Sequence, residues 1–170
     1  NIGSSLIALR LGNKKLKTFY KDLGLLSSSK INLLEKSRPI VPKKWGDVET
    51  ATLSYGHGLS ISPIQMIESA ALLLNNNTYF ISTIKKRNIN YIDKKNNFIS
   101  FKTNKVLLQL MLENVLIGTG KKARVEGYNI GGKTATGEKV NNNGKYDKTK
   151  LVSSFLSIFP IESPQYISLV

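Results

Sequence analysis

The residues whose types and spacing most clearly suit a chemical function lie between Gly127 and Gly137, in the sequence GYNIGGKTATG. The first eight residues match G-x-x-x-x-G-K-[ST], the pattern of a loop that binds nucleotide phosphates. From Lys133 onward the same residues read Lys-Thr-x-Thr-Gly, which is typical of a strand in enzymes that use a nucleophilic serine. The first interpretation predicts phosphate binding, and the second predicts acyl transfer.

The sequence on either side of this segment favours the strand. A phosphate loop needs an apolar strand before its first glycine and a helix that starts at the Lys-Thr pair. Residues 118–126 are polar and charged instead, and residues 141–144 (Asn-Asn-Asn-Gly) are typical of a hairpin turn. Residues 151–159 and 166–170 are rich in β-forming residues. We therefore predict that Lys133 lies on the first strand of an antiparallel meander and that this strand pairs with residues 151–159.

Two short helices are predicted near the beginning of the chain, over residues 1–11 and 14–23, with Gly24 ending the second. A long polar connection with two prolines follows over residues 27–44. Residues 79–101 have a mixed pattern that predicts short strands joined by polar turns.

Two further helices carry clear start signals. Ser62 is a predicted N-cap, Pro63 suits the first helical position, and Gln65 completes a capping box. Thr103 is the predicted N-cap of a strongly apolar helix that ends at Gly118. Helices followed by an antiparallel meander predict an α+β fold.

The composition suits one globular domain. The chain has 170 residues, of which 41% are hydrophobic, and its formal net charge is +14. A basic protein of this kind raises the question of nucleic-acid binding. However, 21 of the basic residues are Lys and only 4 are Arg, and few aromatic residues are interleaved with them. We therefore expect solvated lysine faces and no nucleic-acid partner.

The chain has no cysteine, so it has neither disulfides nor thiolate metal ligands. We expect no metal site and no cofactor, because no His, Asp and Glu cluster has metal-ligand spacing.

The sequence begins at Asn1 without Met and stops at Val170 within an apolar strand, so we expect a fragment that is truncated at both ends. It contains no apolar run of membrane-spanning length and no signal peptide.

Three stretches, in this order, resemble the transpeptidase domain of class B penicillin-binding proteins. The first is residues 1–9 (NIGSSLIAL), which is similar to the end of a Ser-x-Asn motif and the helix after it. The second is residues 45–65 (WGDVETATLSYGHGLSISPIQ), the most specific of the three. The third is residues 127–139 (GYNIGGKTATGEK) with the meander that follows. The resemblance is greatest to the division-specific, septal peptidoglycan enzyme.

The resemblance implies a penicillin-binding-protein or serine β-lactamase-like fold, with a mostly antiparallel sheet covered by helices. Residues 1–170 would form the C-terminal part of one such domain. It also implies a D,D-transpeptidase that cross-links peptidoglycan stem peptides through a serine acyl-enzyme and that β-lactams acylate. Its implied location is the periplasmic side of the bacterial inner membrane, where an N-terminal helix would anchor it among membrane-bound division and cell-wall synthesis proteins.

The resemblance also assigns site residues. Asn1 would be the motif amide that bonds the backbone of the substrate, and it would face Lys133 across one cleft. Lys133 would supply positive charge to a proton relay and to the substrate carboxylate. Thr134, Thr136 and Gly137 would bind substrate, and the Thr136 N–H would complete the oxyanion hole. Ala135 replaces the usual glycine of this motif, and its methyl group would narrow the site slightly.

The nucleophile of the family comes from a Ser-x-x-Lys motif that precedes Ser-x-Asn, so we expect it to lie before Asn1. Two internal matches exist, Ser27 with Lys30 and Ser82 with Lys85. Both lie after Asn1, which reverses the order of the motifs, and neither stands at a predicted helix start. We therefore expect both to be surface loops and expect the 170-residue chain alone to be inactive.

Other polar and aromatic residues have structural interpretations. His57 is the only histidine, and we expect it to pack in a loop. Trp45, Asp47 and Glu49 are expected to fix the turn before the glycine-rich stretch.

Three alternatives to a transpeptidase stay open on the sequence. A serine β-lactamase or β-lactam sensor shares the implied fold and the Lys-Thr strand. A phosphate-loop nucleotide binder and a non-catalytic interaction domain are the other two. The septal rather than elongation role, the oligomeric state and any function of the +14 charge are not decided by the sequence.

Overall fold

The computed structural model describes residues 1–75, 77–79, 81–86, 93–94, 98–140 and 146–170. The described chain forms two compact units, of which the first comprises residues 1–72 and 78–94 and the second comprises residues 73–77 and 95–170. The two units are described separately below.

The first unit is mainly helical. Its helices are α1 (Ile2–Leu11), α2 (Asn13–Asp22), α3 (Asp47–Leu53) and α4 (Pro63–Leu74), the last of which belongs to this unit up to residue 72. A short antiparallel pair joins β1 (Thr78–Tyr79) to β2 (Asp93–Lys94). Leu53 and Leu72 are fully buried and form part of its core. The two helices predicted near the beginning of the chain are confirmed.

The predicted start of α4 is also confirmed. Ser62 Oγ accepts a hydrogen bond from the Gln65 N–H at 3.4 Å, and Gln65 Oε1 accepts one from the Ser62 N–H at 3.0 Å. This reciprocal pair satisfies two backbone donors that the first turn of a helix otherwise leaves free. Gln65 is itself buried, and its side-chain amide donates to the Ser27 carbonyl at 2.7 Å. The cap therefore also holds the polar connection against α4.

The second unit packs helix α5 (Phe101–Leu116) against a three-stranded sheet, and a 3₁₀ turn (Lys121–Ala123) contacts the same helix. The strands β3 (Gly131–Val140), β4 (Tyr146–Phe159) and β5 (Tyr166–Leu169) are antiparallel and lie in the order β3-β4-β5. The sheet register places Lys133 opposite Leu156 and Gly137 opposite Val152. The predicted pairing of the Lys133 strand with residues 151–159 is thus confirmed. The predicted turn at residues 141–144 lies outside the described residues.

The phosphate-loop interpretation is wrong. Lys133 is the third residue of a ten-residue strand, so no helix starts at the Lys-Thr pair and no helix dipole points at a phosphate there. Gly127 lies in a tight turn with φ of 80°, between the bridged residues Val125 and Tyr128. The segment that resembles a phosphate loop is therefore a turn that leads into a strand.

Two further expectations need correction. Thr103 is not the N-cap of α5, because the helix begins at Phe101 and Ser100 is the N-cap, with its Oγ accepting from the Thr103 N–H at 3.0 Å. Trp45, Asp47 and Glu49 do not fix a turn, because Asp47 begins helix α3, which the sequence analysis did not predict. Most of the mixed segment over residues 79–101 lies outside the described residues.

Two adjacent glycines let the second unit pack closely at the start of β3. A Cβ atom built at Gly131 would clash with Ile161 Cδ1 and would lie 3.2 Å from Met111 Cβ of α5. A Cβ atom built at Gly132 would clash with Phe155 Cζ and would lie 2.7 Å from Phe155 Cε2. Contacts of this length are shorter than ordinary van der Waals separation. The side chains of Ile161, Met111 and Phe155 therefore occupy the space that side chains at these two positions would need.

We predict that Gly132→Ala destabilises the protein by about 1–3 kcal/mol, because the Phe155 ring is a rigid neighbour and the new methyl group overpacks the site. Gly137→Ala is the matched control on the same strand, since a Cβ there meets nothing within 4 Å. Its unfolding free energy is expected to stay within about 1 kcal/mol of the wild type. Urea unfolding of both variants measures the difference, and equal stabilities would refute the close packing at Gly132.

Candidate active site

Strand β3 presents the Lys133 motif at one edge of the sheet. In the described part of the chain β3 pairs on one side only, with β4. Lys133 is exposed, and its Nζ donates a hydrogen bond to the Thr134 carbonyl at 2.6 Å. An unpaired strand edge offers backbone N–H and C=O groups to an extended ligand. The motif therefore combines a cation with a backbone that is able to bind a peptide.

The hydroxyl of Thr134 is hydrogen-bonded to a residue of the loop that follows α5. Thr134 Oγ1 lies 2.7 Å from Thr119 Oγ1, and Thr119 Oγ1 donates to Asn114 Oδ1 at 3.0 Å. Asn114 Nδ2 donates to the Gly132 carbonyl at 2.8 Å. The end of helix α5 and the loop after it are thereby bonded to β3 on both sides of Lys133.

A cavity of about 530 Å³ lies beside β3 and β4 in the second unit. Its lining includes the hydroxyl residues Thr119, Thr134, Thr136 and Ser153 and the cationic residue Lys122. Hydroxyl and ammonium groups are hydrogen-bond donors, and donors of this kind suit an anionic group such as a carboxylate.

Asn1 belongs to the first unit. It is the N-cap of α1, and its carbonyl accepts from the Ser5 N–H at 3.0 Å, while its side chain makes no capping bond. Ser5 Oγ in turn donates to the Ala51 carbonyl of α3 at 3.1 Å. Because Asn1 and Lys133 lie in different units, the expectation that they face one cleft stays a prediction.

Helix α3 is held by polar contacts that the most specific stretch of the sequence provides. The Trp45 indole N–H donates to Thr50 Oγ1 at 3.1 Å, and the Thr50 hydroxyl donates to Asn13 Oδ1 at 2.8 Å. Glu49 Oε2 accepts from the Gly46 N–H at 2.8 Å, which satisfies a free donor at the helix start. These residues have a structural role and position α3 against α2.

The glycine-rich stretch after α3 forms a turn with backbone angles that favour glycine. Gly56 and Gly58 have φ of 90° and 89°, in the left-handed region. Between them, the His57 N–H donates to the Thr52 carbonyl at 3.1 Å, and the His57 ring lies 6.4 Å from the ring of Tyr55. The expected position of His57 in a loop is confirmed, and its side chain is exposed.

The two internal Ser-x-x-Lys matches lie in irregular segments. Ser27 and Lys30 belong to the connection between α2 and α3, where the Ser27 carbonyl accepts from Gln65. Ser82 donates its backbone N–H to Glu68 Oε1 at 3.2 Å, and Lys85 follows in a bend. Neither lysine shares a helix start with its serine, as a serine nucleophile and its base require.

No helix in the described ranges is both long enough and apolar enough to cross a membrane. Within those same ranges, no group of three His, Cys, Asp or Glu side chains is placed to hold a metal ion.

The sequence analysis missed Asn114 and Thr119, which contact the Lys133 strand directly. The available signal was Gly118-Thr119-Gly120 at the end of a helix. The sequence predicts a helix end at Gly118 and a polar loop over residues 118–126, but nothing local reveals that Thr119 approaches a strand 15 residues later.

The family comparison covers the whole chain. The family model of the penicillin binding protein transpeptidase domain matches residues 1–170. The chain is 36% identical over 168 residues to a probable peptidoglycan D,D-transpeptidase FtsI of Caulobacter vibrioides, covering 96% of this chain and 28% of that protein. It is 33% identical over 170 residues to stage V sporulation protein D of Bacillus subtilis, covering 93% of this chain and 26% of that protein.

Comparison with solved structures agrees with the family match. The transpeptidase domain of penicillin-binding protein 3 from Burkholderia pseudomallei superposes with a TM-score of 0.88 at 27% identity, covering 99% of this chain and 51% of that structure. The resemblance and the α+β fold predicted from the sequence are confirmed. The chain spans about half of that solved domain and roughly a quarter of the length of the two relatives.

We predict that Tyr20→Phe destabilises the protein by about 1 kcal/mol at neutral pH, because the Tyr20 hydroxyl donates to the Leu53 carbonyl of α3 at 2.7 Å. Burial raises the pKa of Tyr20 above its ordinary value of 10.0, so the folded protein favours the neutral phenol. This contribution to stability is present below pH 10 and is lost as the pH rises above it.

The difference in unfolding free energy between wild type and Tyr20→Phe should therefore shrink above pH 10. Urea unfolding at pH 7.5 and at alkaline pH measures it. Tyr166→Phe is the control, because that side chain is 71% exposed. A Tyr20→Phe protein that matches the control at both pH values would contradict the assignment.

Proposed function

The chain belongs to the penicillin binding protein transpeptidase family, and on that premise we propose that it is the C-terminal part of one transpeptidase domain in a longer peptidoglycan D,D-transpeptidase. The observation that carries the proposal is the position of Lys133, Thr134, Ala135, Thr136 and Gly137 on strand β3, one edge of which has no strand partner among the described residues. Family membership supplies the expected reaction, and the strand edge supplies a surface that suits a peptide ligand.

The proposed reaction is acyl transfer in two steps. A serine outside residues 1–170 attacks the carbonyl between the two terminal D-Ala residues of a stem peptide, and the terminal D-Ala leaves as an amine. An amine on a neighbouring peptidoglycan strand then attacks the ester and releases the serine. A β-lactam takes the place of the stem peptide in the first step, when its ring amide opens onto the same serine.

The proposed roles follow the motif. The ammonium group of Lys133 stabilises negative charge that develops during acylation and attracts the substrate carboxylate. The hydroxyl groups of Thr134 and Thr136 contact that carboxylate, and Gly137 belongs to the same substrate-binding strand. The Thr136 N–H joins the oxyanion hole, and Asn1 bonds the substrate backbone. The exposure of Lys133 and Thr136 supports these roles, because both side chains are accessible to a ligand.

Ala135 stands where the family motif has glycine. Its side chain is exposed, and its neighbours in the cavity lining are Thr134 and Thr136. A single methyl group is the smallest side chain that a substitution of glycine introduces. We propose that it narrows the ligand channel without blocking it.

We further propose that the longer protein acts in septal cell-wall synthesis on the periplasmic side of the bacterial inner membrane. It would be anchored there by an N-terminal helix and would work beside membrane-bound division and cell-wall synthesis proteins. Relatives that carry the name peptidoglycan D,D-transpeptidase FtsI support the assignment to cell-wall synthesis.

We predict that Lys133→Ala lowers the rate of acylation of the full-length protein by a fluorescent penicillin roughly 100- to 1000-fold, because it removes a charge that acts in the transition state. Thr136→Val should lower the rate only about fivefold, since it removes one hydroxyl hydrogen bond and keeps the backbone N–H. Lys139→Ala is the matched control, an exposed lysine further along the same strand. Labelling of Lys133→Ala at the control rate would refute the proposed role.

We also predict that Ser27→Ala and Ser82→Ala leave penicillin labelling of the full-length protein unchanged. Both serines lie in irregular segments without a lysine on a shared helix face. Gel fluorescence after a short exposure to the penicillin measures the label. Loss of the label in either variant would show that the nucleophile lies within residues 1–170.

A further inference from the structure

One side chain, Asn114, is bonded directly to one of the residues that flank Lys133 and is linked through Thr119 to the other. Its Nδ2 donates to the Gly132 carbonyl at 2.8 Å, immediately before Lys133. Its Oδ1 accepts from the Thr119 hydroxyl at 3.0 Å, and the Thr119 hydroxyl lies 2.7 Å from that of Thr134, immediately after Lys133. We call Asn114 and Thr119 the clamp.

The direction of every hydrogen bond in the clamp is fixed. Asn114 Oδ1 also faces the Thr119 backbone N–H at 3.2 Å, while its Nδ2 faces a carbonyl oxygen, so the amide has one consistent orientation. Thr119 has a single hydroxyl hydrogen, and it donates that hydrogen to Asn114 Oδ1. In the contact between the two threonines, Thr134 must therefore donate and Thr119 must accept.

The loop between α5 and the 3₁₀ turn is built around Asn114. The Gly120 N–H donates to the Asn114 carbonyl at 3.0 Å. A Cβ atom at Gly118 would lie 2.7 Å from Asn114 Oδ1, and one at Gly120 would lie 2.9 Å from Asn114 Nδ2. The two glycines therefore let the loop close tightly enough for Thr119 to reach both Asn114 and Thr134.

We propose that Asn114 and Thr119 are positioning residues for Lys133 in the acylation reaction. They act through the Gly132 carbonyl and the Thr134 hydroxyl and so fix the backbone on both sides of the lysine. This inference rests on the proposed function. It adds two residues, from the end of α5 and the loop after it, that no part of the Lys-Thr-x-Thr-Gly motif contains.

The clamp also determines what Thr134 offers to a ligand. In the ligand-free protein its proton is directed at Thr119, so Thr134 must give up that bond before it donates to a carboxylate. A hydrogen bond to a charged carboxylate is about twice as strong as one between neutral groups, so this exchange is favourable.

The test measures acylation of the full-length protein by a fluorescent penicillin at saturating concentration. Thr119→Val keeps the shape of the side chain and removes its hydroxyl group, and it should lower the acylation rate constant about three- to fivefold. Thr119→Ser restores the hydroxyl and should return the rate to within about twofold of wild type. Asn114→Asp replaces the donor to Gly132 with an oxygen and should lower the rate about tenfold.

A double-mutant cycle separates positioning from a general structural effect. If Thr119 acts through the Thr134 hydroxyl, Thr119→Val should have no further effect in a Thr134→Val background. A general loss of structure would lower the rate by the same factor in both backgrounds. Gln109→Ala is the control on the same helix, because it removes only an exposed side-chain bond to Glu113. It should leave the rate at the wild-type value.

The outcomes are distinguishable. A wild-type protein that the penicillin does not acylate would remove the proposed function and this inference with it. An acylated wild type that depends on Lys133, together with Thr119→Val and Asn114→Asp proteins that react at the wild-type rate, would overturn the inference alone. Additive losses in the double-mutant cycle would also overturn it.

Discussion

The close approach of helix α5 to the beginning of strand β3 is the constraint on which the second unit depends. Gly131 and Gly132 have no side chains, so Ile161, Met111 of α5 and the Phe155 ring of β4 pack directly against the strand backbone. The Gly132 carbonyl accepts a hydrogen bond from the side chain of Asn114 on the same helix α5. The strand cannot move away from helix α5 without losing both the packing at the two glycines and the hydrogen bond to Asn114. These two interactions therefore fix the position of the next residue, Lys133.

The pairing of β3 with β4 leaves one side of β3 as a surface that is able to bind a ligand. Strand β4 pairs with β3 along one side, and in the described chain the other side of β3 has no strand partner. Lys133 and Thr136 are exposed on this strand, and hydroxyl groups line the cavity beside it. A rigid strand with a free edge, one cation and several hydroxyl donors is suited to hold a peptide-like ligand that ends in a carboxylate.

Local signals predicted the elements whose causes are local. The capping box of Ser62 and Gln65 is complete within four residues, and the sequence therefore located the start of α4 correctly. Residues 151–159 are β-forming throughout, so the pairing of β3 with β4 was also predictable. Ser and Thr both suit the N-cap position, so residue type alone did not distinguish Ser100 from Thr103. In the structure the helix begins at Phe101, and Ser100 is its N-cap.

Long-range contacts account for what the sequence did not reveal. Helix α3 has Gly46 as its N-cap residue, and its Thr50 is bonded to Asn13, which lies 37 residues away. Likewise, the clamp joins Asn114 to Gly132 across 18 residues. The family resemblance identified the Lys133 motif, but it did not identify the neighbours that hold the motif in place.

The most direct test of the account is a crystal structure of the full-length protein after reaction with a penicillin. We predict an ester bond to a serine outside residues 1–170, with the penicillin carboxylate within hydrogen-bond distance of Lys133 Nζ and Thr136 Oγ1. The Asn114 amide should still be bonded to the Gly132 carbonyl in that structure. An ester to a serine within residues 1–170, or a carboxylate bound away from strand β3, would contradict the account.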